Sequence, residues 1–144
     1  MEGEMRVLVI GGGRIGSHLA RELNSRGHQV VVIEKSGERC RELAKRLENT
    51  GIRLINGDGN DPAVLREAGA PDADSLAATT GEDEDNLVAG LLAKREFGIR
   101  RVVGRVNNPR NGWLYSEPMG FDAAVRPADI IVSLIEQEIE TTTS

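Results

Sequence analysis

The sequence holds one cysteine, Cys40, so an intramolecular disulfide is excluded, which suits a reducing compartment. Its two histidines, His18 and His28, have no Cys or His at ligand spacing, which removes a zinc site. Aromatic residues are scarce at 3%, and no basic run or aromatic-rich basic stretch is present. With a formal net charge of −5, the surface as a whole repels nucleic acid and anionic membranes. Long apolar runs are also missing. A stretch such as Val30 to Ile33 is far too short to span a bilayer, and the N-terminus lacks the basic and apolar regions of a signal peptide. Any action at a membrane is therefore expected to pass through a partner.

What is present is alternation. Short β-branched runs, Arg6–Ile10, Gln29–Ile33, Ile52–Ile55, Ser75–Ala78, Arg101–Val106 and Ala123–Val125, are separated by segments with helical period. Arg6–Ile10 is nearly all apolar, as in a strand buried on both faces. Helices are expected after Gly13, after a Ser36 cap, after Asp61-Pro62, over Asp83–Phe97, after Asn108-Pro109 and over Ala128–Glu140. This pattern predicts an α/β domain over residues 1–140, a doubly wound six-stranded parallel sheet of Rossmann type, order 3-2-1-4-5-6. Residues 141–144 read as a frayed polar tail.

The strongest chemical signal is Gly11-Gly12-Gly13-Arg14-Ile15-Gly16, placed directly between a buried strand and a helix. Gly11 allows a tight turn, Gly13 lets backbone approach a pyrophosphate, and Gly16 lets the helix pack close to the strand. Gly12 falls at a variable position and receives no separate role. The free N–H groups and positive dipole end of the helix favour phosphate. Glu34 lies roughly 20 residues downstream, where a carboxylate accepts from the adenosine ribose and repels a 2′-phosphate. NAD(H), or alternatively ATP or ADP, is thus expected over NADP(H), with the adjacent Lys35 softening the discrimination.

With these motifs in place, the chain resembles the RCK or KTN nucleotide-binding domain of Trk/Ktr potassium-uptake regulatory subunits and of some potassium channels. The resemblance runs from Met5 to about Glu140. It rests on Arg14 in the glycine loop, Gly57-Asp58 after the third strand, and Thr79, Thr80, Asp83 and Asn86 after the fourth. Gly104-Arg105-Val106-Asn107 and the Gly120–Pro127 run add to it. Asp58 stands beside the expected adenine pocket, or is a turn-forming Asx residue. Arg14 could pair with phosphate oxygens, or be solvated. Thr79 and Thr80 could reach ribose or pyrophosphate, and Arg105 is either a cleft residue or half of an ion pair.

The resemblance implies a final crossover helix, striped by Ile130, Ile131, Leu134, Ile135 and Ile139, that pairs two subunits into dimers and then rings. It further implies a potassium-translocating membrane partner and a cytoplasmic location at the inner face of the membrane. Family members often continue into a small C-terminal ligand domain that this sequence does not include, as expected either of a fragment or of a single-domain subunit. No catalytic residues are expected. A small NAD-dependent oxidoreductase lacks its substrate domain here, and Tyr115 has Met119 rather than lysine four residues on. An S-adenosylmethionine-dependent methyltransferase fits the glycine spacing less well. The acids Glu82–Asp85 read as dipole-stabilising first-turn residues, Cys40 as core filling, and Trp113 and Tyr115 as either an interface or a packed surface turn.

Overall fold

Side chains alternate across a strand, and in the first strand this alternation divides the core in two. The computed structural model describes residues 3–116, 120–126, 131–132 and 134–136. In β1 (Arg6–Ile10), Val7 and Val9 face one hydrophobic cluster, while Leu8 and Ile10 face the other. The first cluster takes Ala20 from α1 (Arg14–Ser25) and Leu43 from α2 (Gly37–Arg46). The second takes Leu65 from α3 (Pro62–Glu67) and Ala89 and Ala93 from α4 (Asp83–Arg95). Helices thus cover both faces of one sheet.

That sheet has six strands in the order β3-β2-β1-β4-β5-β6, every neighbouring pair parallel. Its remaining members are β2 (Gln29–Glu34), β3 (Arg53–Asn56), β4 (Ser75–Ala78), β5 (Arg101–Arg105) and β6 (Ala123–Val125). The predicted order holds. The third strand starts and ends one residue later than expected, the fifth ends one residue earlier, and the segment after Asn108 is a 3-10 helix, Pro109–Leu114. Residues 131–132 and 134–136 are helical, with Ile131, Val132, Leu134 and Ile135 exposed. The remainder of the expected final helix, including Ile130 and Ile139, and the tail lie outside the described residues.

The chain crosses back over β1 between β3 and β4, so β1 and β4 leave the sheet toward helices on opposite faces. A crevice opens there, beyond the carboxyl ends of the strands, as doubly wound sheets require. Polar anchors hold its rim. Ser36 caps α2 by accepting from Arg39 N–H (3.1 Å), and Asp61 caps α3 with Pro62 at the first helical position. The Asp83 carboxylate accepts from the N–H groups of Asn107 (2.6 Å) and Asn108 (2.8 Å) and from the Asn111 amide (2.9 Å). Burial opposes its charge, but these donors outweigh burial and hold its carboxyl below the ordinary carboxylate range.

Candidate functional site

Gly11 begins the site. It leaves β1 with φ +100°, a left-handed conformation that side chains resist, while its N–H donates to Ile33 O at 2.8 Å. The chain can then enter α1 with Gly13 as N-cap, no side-chain cap bond, and no acid in the first turn. The first N–H groups of α1 therefore have no competing anion from their own helix. Gly16 packs so close that a β-carbon there would collide with Gly11 O.

Gly12 corrects the expectation that it has no role. Its N–H donates to Glu34 Oε1 at 2.7 Å, and a β-carbon would run into the Leu43 side chain. It lies outside the main cleft and ties the glycine loop to the end of β2. Glu34 is only 5% exposed; its second oxygen accepts from Ser36 N–H at 2.8 Å, and Arg39 Nη1 stands 3.6 Å from the first. Glu34 is thus a structural clasp as well as a cleft acid, and each oxygen keeps a further lone pair.

A cleft of about 600 Å³ follows along the carboxyl edge of the sheet. It is lined by Gly11, Gly13, Arg14 and Ile15 of the loop, by Glu34 and Lys35 after β2, and by Gly57 and Asp58 after β3. Thr79, Thr80 and Arg105 form the opposite wall. Of the thirteen expected site residues, only Gly12 and Gly16 do not line it, one tying the loop to Glu34 and the other packing beneath it.

Asp58 accepts from Asn60 N–H at 2.9 Å as an Asx turn, and it also lines the cleft. The threonines are more committed than their sequence suggested. Thr79 Oγ1 donates to Ile10 O at 3.0 Å, and Thr80 Oγ1 lies 2.7 Å from Asn86 Oδ1. Their hydroxyl protons hold the loop and the crevice wall, which leaves lone pairs as what they can offer a ligand. Arg105 resolves differently. No carboxylate lies within ion-pair distance of it among the described residues, and its Nε is buried with no hydrogen-bond partner.

The structure gives Asn86, which the sequence offered only as part of the family resemblance, a definite role, and it adds two cleft residues, Asp85 and Asn60, to those expected. Asn86 is fully buried, and its amide donates to Thr80 O and Arg105 O, both at 3.0 Å, joining the ends of β4 and β5. Asp85 reaches across the cleft mouth to Lys35 (3.4 Å) and accepts from the Asn60 amide (3.0 Å). The Asn60 Oδ1, like Arg105 Nε, is buried and unpartnered. In the sequence Asp85 read only as one of the first-turn acids Glu82–Asp85 and Asn60 carried no signal, because neither pattern says what lies opposite.

The arrangement offers an open helix N-terminus in the middle, a carboxylate at one end, and a guanidinium on the far wall. That donor set suits an anion carrying a ribose, with phosphates near the loop. Comparison with known proteins gives the family and the fold. The TrkA-N domain family matches residues 7–127. The Trk system potassium uptake protein TrkA of Mycobacterium tuberculosis is 38% identical over 135 residues, covering 94% of this chain and 60% of that protein. The chain thus spans about 60% of the length of this curated relative. The TrkA-N domain of the Escherichia coli inner membrane protein ybaL shares the fold, with a TM-score of 0.78 at 23% identity, covering 92% of this chain and 94% of that one. The GsuK channel bound to NAD superposes with a TM-score of 0.72 at 25% identity, covering 86% of this chain and 22% of that one. GsuK bound to ADP gives 0.69 at 26%, covering 87% and 32%.

Proposed function

The chain belongs to the TrkA-N domain family, and from that premise we propose that it is the nucleotide-sensing part of a potassium uptake system or channel. NAD(H) or an adenine nucleotide lies along the cleft, with its phosphates at the N-terminus of α1 and its ribose toward Glu34. The observation that carries this reading is Arg105 Nε, buried and unpartnered on the wall of a cleft whose other end is the buried Glu34. A buried donor left unsatisfied costs about 1–3 kcal/mol, and a ligand oxygen in the cleft relieves that cost. The NAD and ADP complexes of GsuK support the same ligand class.

Sensing is favoured over chemistry. Tyr115, a potential proton donor, is buried, and its hydroxyl donates to Asp83 O at 2.8 Å. Burial first, and the Asp83 charge second, push its pKa up to about 12, so it is held as a neutral structural group. The ligand instead joins two halves of the sheet, with Glu34 and Asp58 on one side and Thr80 and Arg105 on the other. Ligands that contact those halves unequally shift the population of domain arrangements, by no more than their differential affinity. A membrane partner that translocates potassium reads that shift through paired domains, so the chain works at the inner face of the membrane without inserting. Among the described residues no helix is long and apolar enough to cross a bilayer.

Calorimetric titration with NADH, ADP, NADPH and S-adenosylmethionine at matched salt tests the reading. Binding of NADH or ADP is expected, with NADPH at least tenfold weaker. Binding of S-adenosylmethionine alone would overturn it.

A further inference from the structure

A second hollow, of about 550 Å³, lies between α1 and α2, lined by the glycine loop and the two helices and by no strand residue. Arg14, His18 and Arg21 recur at helical spacing along α1, and Arg39 and Arg46 do so along α2, with Glu42 between them. All six are exposed. Arg14, Arg21 and Arg46 have no carboxylate within ion-pair distance among the described residues, and Arg39 has only Glu34 at 3.6 Å. A chain of net charge −5 has no general reason to face two arginine stripes toward each other, since like charges at such positions repel.

We propose that this hollow is a phosphate-binding site distinct from the nucleotide cleft, and that its ligand carries more than one phosphate. Seven helical residues span about 10 Å. Arg14 and Arg21 on one side, and Arg39 and Arg46 on the other, therefore mark the ends of a cationic trough of about that length. One phosphate cannot bridge it; a short polyphosphate chain, or a row of anionic phospholipid headgroups, can. Guanidinium groups suit either, because their paired donors match phosphate oxygens. The near end meets the start of α1, whose first turn holds no acid, so the dipole adds to the same field. The near end is shared with the nucleotide cleft, and the far end stands independently of the nucleotide reading. Arg14 and Arg39 also line the cleft, whereas Arg21 and Arg46 line only the trough.

The test pairs Arg21→Glu with Arg46→Glu and compares them with Arg41→Glu plus Arg53→Glu, an equal charge change outside the trough. Tripolyphosphate is titrated by calorimetry at low salt. Sedimentation with phosphatidylcholine vesicles, with and without phosphatidylglycerol, separates the two phosphate sources. The trough pair is expected to weaken binding at least tenfold and the control pair less than threefold, with NADH binding unchanged in both. Milder Arg21→Gln plus Arg46→Gln substitutions, with thermal melting, guard against misfolding. Tripolyphosphate binding without vesicle binding assigns a soluble ligand, and the reverse assigns a headgroup surface. Equal losses in both pairs, or no binding of either probe by the wild type, would overturn the proposal.

Discussion

At the residue scale, the cleft depends on a few polar atoms whose partners are counted. Glu34 accepts from two backbone N–H groups, one on each oxygen. Glu34→Gln turns one of those oxygens into a donor facing a donor. The expected result is a loss of about 1–3 kcal/mol in urea unfolding, together with a smaller preference for NADH over NADPH. Arg105 makes the complementary case. Arg105→Gln removes a buried unpartnered Nε, so folding stability should hold or rise slightly. Adenine-nucleotide affinity should fall about ten- to a hundredfold, the worth of a charge-assisted hydrogen bond. A variant that loses stability but not affinity would place Arg105 among the structural residues.

At the element scale, α4, β5 and the turn before β6 meet around one ring. Phe121 is 2% exposed and sits between Gly90 of α4 and Gly104 of β5, where a β-carbon at either glycine would strike the ring. Tyr115 tilts against it with ring centroids 4.7 Å apart. Alanine is a better helix former than glycine by about 1 kcal/mol, yet the ring is walled in on the β5 side and cannot retreat. Gly90→Ala is therefore expected to destabilise, by about 1–3 kcal/mol, in thermal or denaturant melts; stabilisation would mean the ring has room to move. Asp122 fixes the same junction, accepting from Val102 N–H (2.7 Å) and from Lys94 (2.8 Å). The Lys94 hydrogen bond, against the opposing effect of burial and helped by Val102 N–H, holds its carboxyl below the ordinary range.

At the scale of the whole molecule, Asp83 and Asp122 set an acid limit. Both pKa values are depressed in the folded state, so both contribute stability above the unfolded carboxylate value, about 3.9. That contribution is lost as pH falls from there through the lowered folded values. Melting temperature should drop steeply below about pH 4, and Asp122→Asn should flatten that drop while lowering stability near neutrality. An acid limb unchanged by the substitution would remove Asp122 from this account.

The division of labour between sequence and structure follows from the range of the forces involved. Buried parallel strands need apolar runs, tight turns need Gly11, and helix starts need residues such as Ser36 and Asp61. These requirements are local, so strand order, the tight glycine loop and the position of Glu34 at the end of β2 were legible from spacing alone. Gly12 was misjudged because its partner Glu34 and its neighbour Leu43 lie on other elements. Asp85 looked like an ordinary first-turn acid until Lys35 was brought beside it, and the bonds of Asn86 to Thr80 and Arg105 became visible only once β5 stood beside α4. The absence of any basic run in the sequence was real, yet the fold assembles five basic side chains from two helices into one trough. Periodicity and turn chemistry are written along the chain; which polar atom meets which partner, and where like charges gather, is decided only when distant segments pack.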